Sequence, residues 1–208
     1  MITRKQRLRG CAALLLALAL LCTWRARADA AGEIARLAAL MEWKAGTVVA
    51  DIGAGDGSYS FAAAAKVGPA GRVYATEIDE KKLQELRAEV KRRNLPNVSI
   101  VQSKEADTGL PAGCCDAIFL RRVYHHLTKP AEFDARLVTA LKTGGRLAII
   151  DFAPRPGLDP VEGIPSNRGG HGIPEKLVVE ELQAAGLQVA REVKDWPDDS
   201  YCVVFVKK

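Results

Sequence analysis

The chain has 208 residues, 48% of them hydrophobic and 26% charged, with 18 Gly and 10 Pro. That is the length of one domain and the composition of an ordinary globular protein, which excludes disordered, collagen-like and disulfide-scaffold classes. The formal charge of +5 does not argue for a nucleic-acid partner, because residues 1–28 hold six basic residues (Arg4, Lys5, Arg7, Arg9, Arg25, Arg27) and no acid, leaving 24 basic and 25 acidic residues in the rest.

Those first residues read as a targeting segment. A basic start, Met1–Arg9, precedes a 15-residue uncharged run, Gly10–Trp24, rich in Leu and Ala. The run is short for a membrane span, which needs about 20 apolar residues, and suits a signal-peptide core. Ala26-Arg27-Ala28 offers an A-x-A cleavage pattern, although Arg25 and Arg27 depart from the usual one. The expectation is a signal peptide or N-terminal membrane anchor over 1–28 and a single domain over 29–208, exported or anchored, or cytoplasmic if the segment is not used. Cys11 and Cys22 lie in the leader; Cys114, Cys115 and Cys202 have no metal-site spacing and read as free thiols.

The body alternates strand and helix patterns. Thr47–Ile52 is a short apolar strand ending at Gly53, followed by a small-residue helix, Ser58–Lys66. A second strand runs Arg72–Ile78. Asp79 then caps a helix to Arg93, with Leu83, Leu86 and Val90 at helical spacing. Val98–Gln102 and Cys115–Leu120 are strands three and four. Thr128 is the expected cap of a helix to Leu141 with Pro130 in its first turn. Gly144-Gly145 turns into strand five, Arg146–Phe152. Pro174–Ala185 is a helix ended by Gly186, and Leu187–Val193 and Tyr201–Val206 form a closing antiparallel pair. This order predicts an α/β fold: a doubly wound, Rossmann-like sheet of seven strands, mostly parallel with an antiparallel final strand. Such a sheet binds ligands at the carboxyl ends of its strands, where strand order reverses.

Asp51-Ile52-Gly53-Ala54-Gly55-Asp56-Gly57 occupies one such end. Glycines there permit a tight turn and close ligand approach. The spacing is Gly-x-Gly-x-Gly, not the Gly-x-Gly-x-x-Gly that seats a pyrophosphate, which argues against a nucleotide-dependent oxidoreductase. Asp51 would repel a diphosphate but suits a cationic ligand. Glu77 ends the second strand, where an acid can take both hydroxyls of a ribose.

This loop, followed by Val73-Tyr74-Ala75-Thr76-Glu77-Ile78-Asp79, resembles the class I S-adenosylmethionine-dependent methyltransferases over nearly all of residues 34–208. The resemblance implies S-adenosylmethionine as cofactor. Asp51, Gly53, Ala54, Gly55 and Gly57 would form its binding loop, Glu77 would hold the ribose and Ile78 would lie against the adenine. Glu105-Ala106 is the best match to the family's adenine-side position after strand three, with Asp107 as the substitute.

The three histidines, His125, His126 and His171, all fall in loops at the carboxyl edge of neighbouring strands. Family members often carry a His-His-Leu stretch after strand four, and His125, His126, His171 and Tyr124 are the candidate catalytic residues. A metal held by the imidazoles with Asp151 or Glu162 is the rival; adjacent histidines seldom reach one ion, and no metal is expected. The Pro-Gly-rich stretch Pro154–Pro174 is long for a connection and reads as a cover over the site. The expected function is methyl transfer to a small-molecule acceptor. The alternative is a protein that binds S-adenosylmethionine or S-adenosylhomocysteine without turnover. Membrane contact is expected only through the leader.

Overall fold

The structure, a computed structural model, describes residues 30–208; the leader expectation lies outside them. A helix over 30–40, here α1, comes first. It is absent from the strand and helix pattern read from Thr47 onward, although Ile34, Leu37, Ala38 and Met41 are all buried at helical spacing. Then follow β1 (Val48–Ile52), α2 (Ser58–Val67), β2 (Arg72–Glu77), α3 (Glu80–Arg93), β3 (Val98–Gln102) and β4 (Cys115–Arg121). A short 3-10 turn at Tyr124–His126 leads to α4 (Pro130–Ala140) and β5 (Leu141–Asp151). A second 3-10 turn (Ser166–Arg168), α5 (Glu175–Ala184), β6 (Gln188–Trp196) and β7 (Ser200–Val206) complete the order.

The seven strands form one sheet in the order β3-β2-β1-β4-β5-β7-β6. Pairing is parallel from β3 to β5, and β7 runs antiparallel to both β5 and β6. Strand alternation sends Val49, Phe119, Ile150 and Val204 to one face, under α1, α2 and α3. Ala50, Leu120, Ile149 and Val203 go to the other, under α4 and α5. The strand order reverses between β1 and β4, so a crevice opens above their carboxyl ends.

Two local expectations are corrected. Thr128 does not cap α4: the cap is Lys129, which makes no side-chain hydrogen bond, with Pro130 filling the first turn. The Thr128 hydroxyl instead donates to Glu105 Oε1 at 2.6 Å. Gly144-Gly145 is not a turn before β5 but lies inside it, opposite a register break between Cys115 and Ala117. A Cβ at Gly145 would come within 2.8 Å of the Lys142 carbonyl, so glycine lets the strand bulge and continue. Among the described residues, no helix is long and apolar enough to cross a membrane.

Candidate functional site

A cavity of about 550 Å³ sits above β1 and β4, within the range of small-molecule sites. Its walls include Ile52, Gly53 and Gly55 after β1, Glu77 and Ile78 after β2, and Ser103–Glu105 after β3. Arg121–Val123 and His126–Thr128 after β4 close the other side.

Glu77 ties two of these loops together. Its Oε2 accepts from the Gly55 N–H at 3.1 Å, and its Oε1 accepts from the Ile78 N–H at 2.8 Å and the Asp79 N–H at 3.3 Å. Three backbone donors fix the carboxylate on the cavity wall. Gly55 has φ +57°, and a Cβ added there would meet nothing within 4 Å. The space beside the carboxylate is therefore open. Ile78 is 58% exposed at the rim, an apolar face for a flat ring. Gly53, also on the wall, serves packing as well: a Cβ there would meet Val123 Cγ2 at 2.6 Å. An open glycine backbone, a fixed carboxylate and an exposed apolar rim fit the amino-acid, ribose and adenine parts of S-adenosylmethionine.

Other loop residues stand behind this wall. Asp51 is buried and its Oδ2 accepts from Ser60 Oγ of α2 at 2.6 Å. Burial pushes its carboxyl up to about 7, against the pull of that hydrogen bond. Ala54 is spent on backbone pairing with Thr76, at 2.8 Å. Gly57 caps α2 with φ +79°, and a Cβ there would strike Phe61 and Leu86. Glu105 lines the cavity, but its carboxylate is held by Thr128 and by Lys129, whose Nζ lies 3.3 Å away. Neither Ala106 nor Asp107 lies on the wall; Asp107 closes a tight turn with Lys104.

The structure gathers the histidines. His126 lines the cavity; its ring centroid is 4.0 Å from that of His125 and 6.1 Å from that of His171, and His125 and His171 are 5.3 Å apart. Partial burial and the neighbouring imidazoles lower the pKa of His126. His125 is buried. Its Nδ1 lies 2.8 Å from Asp151 Oδ1, and its backbone N–H donates to Asp151 Oδ2 at 3.1 Å. Its Nε2 is shut off from solvent and has no hydrogen-bond partner. His171 Nδ1 lies 3.2 Å from the Asp159 carbonyl. Among the described residues, no group of three or more His, Cys, Asp or Glu is placed to hold a metal.

Tyr124 is turned away from the cavity. Its hydroxyl is 2.9 Å from both Asp134 Oδ2 and Glu181 Oε2, under α4 and α5. Burial, with these two carboxylates, drives its phenol well above the ordinary value. Its neighbour in this network is Arg168, fully buried, which pairs with Glu181 and donates to the Tyr124 carbonyl at 2.9 Å. Arg168 pins the loop expected to cover the site. The neck of that loop is closed as well, by Ile173 N–H to the Phe152 carbonyl at 2.9 Å. Residues 155–160 are exposed, and Gly163 comes back against Thr128 on the cavity wall.

One buried residue has no counterpart in the sequence reading. Glu33 of α1 accepts from Tyr59 at 2.7 Å, from Trp196 at 2.9 Å and, along one edge of the Arg121 guanidinium, from Nε at 3.1 Å and Nη2 at 3.0 Å. Burial opposes its charge, but these donors more than offset that and hold its carboxyl below the usual range. Glu33 thereby steadies Arg121 at the cavity edge. Its signal was an acid on the apolar face of α1, beside Ile34 and Leu37.

Comparison with known proteins agrees with this geometry. Residues 50–149 match the family model of a methyltransferase domain. The chain is 31% identical over 123 residues to the nocamycin O-methyltransferase of Saccharothrix syringae, covering 59% of this chain and 44% of that protein. It is 33% identical over 125 residues to the aklanonic acid methyltransferase DauC of a Streptomyces species, covering 60% of this chain and 57% of that protein. The matches thus span about half the length of these relatives. A solved S-adenosylmethionine-dependent methyltransferase from Aquifex aeolicus superposes with a TM-score of 0.71 at 28% identity, covering 84% of this chain and 89% of that one. In its strand order, its glycine loop and the carboxylate of Glu77 at the end of β2, the chain is similar to the S-adenosylmethionine-dependent methyltransferases.

Proposed function

We propose that this protein transfers a methyl group from S-adenosylmethionine to a hydroxyl oxygen of a small molecule. The observation that carries the reading is the His125–Asp151 pair beside the cofactor cavity. Asp151, fully buried, orients the imidazole and stabilises the charge it gains, leaving Nε2 as the nitrogen free to take a proton. When bound, S-adenosylmethionine supplies a methyl already activated on a sulfonium, so the protein has mainly to align the acceptor. Glu77, Gly53, Gly55 and Ile78 would hold the cofactor. His126 and the loop carrying His171 would border the acceptor, and the loop lifts to admit it. The small-molecule O-methyltransferase named among the relatives supports an oxygen acceptor.

The second reading is cofactor binding without turnover. What favours it is that Nε2 is closed off from solvent. Transfer of labelled methyl from S-adenosylmethionine into a panel of phenols and enols separates the two. Label in any product supports the enzyme; tight cofactor binding with none throughout the panel favours the binding protein. For residues 1–28 we propose export or membrane anchoring, on the basic start and apolar run. Because the cofactor is made inside cells, fractionation of tagged full-length protein tests which side the domain occupies.

A further inference from the structure

The charges around the cavity are unbalanced. Four cationic side chains line it, Lys82, Lys104, Arg121 and Arg122, against the carboxylates of Glu77 and Glu105. Arg121 is spoken for by Glu33, and Glu105 by Thr128 and Lys129. Lys82 and Lys104 have no carboxylate within 4.0 Å among the described residues. S-adenosylmethionine adds net positive charge of its own. A cavity that must hold a cation amid excess cations favours a negatively charged second ligand.

Arg122 is the residue built for it. It follows β4 directly, at the acceptor side, and is held with φ +55°, a left-handed conformation unusual for a non-glycine residue. Its N–H donates to the Ile150 carbonyl at 2.7 Å, which locks that backbone. Strain retained at a cavity wall marks a side chain whose position matters. The guanidinium is under-used: Nη2 donates to Asp198 at 3.2 Å, while Nε is buried with no acceptor. Asp198 is 62% exposed and is shared with Arg121, at 3.5 Å, so it is a weak counter-ion. Beside it, Phe152 is flanked by the guanidinium carbons of Arg122 at 5.8 Å and Arg155 at 4.7 Å, and the His171 ring stacks on it at 6.0 Å.

We infer that the acceptor carries an anionic oxygen group, a carboxylate or an acidic enolate, near the hydroxyl that is methylated, and that Arg122 is the specificity-determining residue that binds it. This rests on the cofactor reading above, and deepens it by naming the acceptor's charge class. A planar guanidinium offers paired donors matched to a carboxylate, and such charge-assisted bonds are stronger than neutral ones.

The test uses the protein saturated with S-adenosylhomocysteine and two probes of one shape, salicylate and salicylamide, followed by titration calorimetry. Salicylate is expected to bind about tenfold or more tightly than salicylamide, the margin of a charge-assisted pair. The preference should shrink with added salt, collapse toward equality in Arg122→Gln, and partly return in Arg122→Lys. Thermal unfolding establishes that both variants are folded; an Arg122→Gln variant that does not fold leaves the probe preference of the wild type and of Arg122→Lys as the decision. Wild type that binds S-adenosylhomocysteine but takes both probes equally, or takes neither, overturns the anionic acceptor alone. Wild type that binds no S-adenosylhomocysteine overturns the cofactor reading and this inference with it.

Discussion

Asp151 grips His125 twice, through the ring Nδ1 at 2.8 Å and the backbone N–H at 3.1 Å, and it also accepts from the Phe152 N–H at 2.9 Å. One fully buried carboxylate thus sets both the position of the turn after β4 and the orientation of its imidazole. His125→Gln should lower turnover on an identified acceptor by about 100-fold or more, the lower end of general acid–base catalysis, with cofactor affinity little changed. Single-turnover rates alongside cofactor titration check this. Asp151→Ala should also cost about 3 kcal/mol of stability, because it strands buried donors; urea unfolding measures that cost.

Glu77→Ala should weaken S-adenosylmethionine binding by about 1–3 kcal/mol, the cost of leaving polar partners unmatched. The Gly55, Ile78 and Asp79 amides would lose their shared acceptor as well. An unchanged dissociation constant in a folded variant would sink the ribose role.

The two wall glycines should separate folding from binding. A side chain at Gly53 collides with Val123, whereas one at Gly55 enters open cavity. Gly53→Val is therefore expected to lower the melting temperature markedly. Gly55→Val should lower it less, through its φ of +57° alone, while abolishing cofactor binding by filling ligand space. Equal melting temperatures with equal binding would deny both roles.

Arg168 decides how much of the covering loop can move. Arg168→Met leaves the partly buried Glu181 beside Asp134 without its cation, a loss of about 3 kcal/mol, the lower end for a broken buried pair. In the wild type, limited proteolysis should cut within the exposed 155–160 and spare 168–174. In Arg168→Met, cleavage should spread to the second half. Cleavage spread evenly over 154–174 in the wild type would mean that the anchor does not hold in solution.

Stability should fall as pH rises from about 4 to 7 through Asp134. Burial, reinforced by the Glu181 carboxylate and opposed by the Tyr124 hydrogen bond, raises its carboxyl from 3.8 to about 7 in the folded state. Between those values the native state binds more protons than the unfolded chain, so the unfolding free energy declines with pH, by an amount on the order of a few kcal/mol. Asp51 acts in the same sense. Asp134→Asn should flatten the decline by its share. A slope identical to that of the wild type in urea unfolding at several pH values would show that Asp134 is ionised throughout.

The order of elements was legible because strand and helix patterns depend on short-range periodicity, and the glycine loop because a tight turn at a strand end needs glycine at particular steps. Glu77 was legible for the same reason: its place at the end of β2 fixes which edge of the sheet it joins. Tertiary structure decided which residues of each motif line the cavity. Asp51 and Gly57 belong to the loop by sequence, yet α2 and α3 pack against them, while Ile52, Gly53 and Gly55 after β1 and Glu77 and Ile78 after β2 reach the wall. Tyr124 sits one residue before His125, but the 3-10 turn sends its ring under α4 and α5 to meet residues 10 and 57 positions away. Glu33 and Arg121 are 88 positions apart, and Arg168 finds Glu181 only because the loop folds back. Burial of charge is a property of the packed chain: a buried carboxylate or guanidinium must find partners, and no local pattern in the sequence names a partner brought in from another layer of the fold.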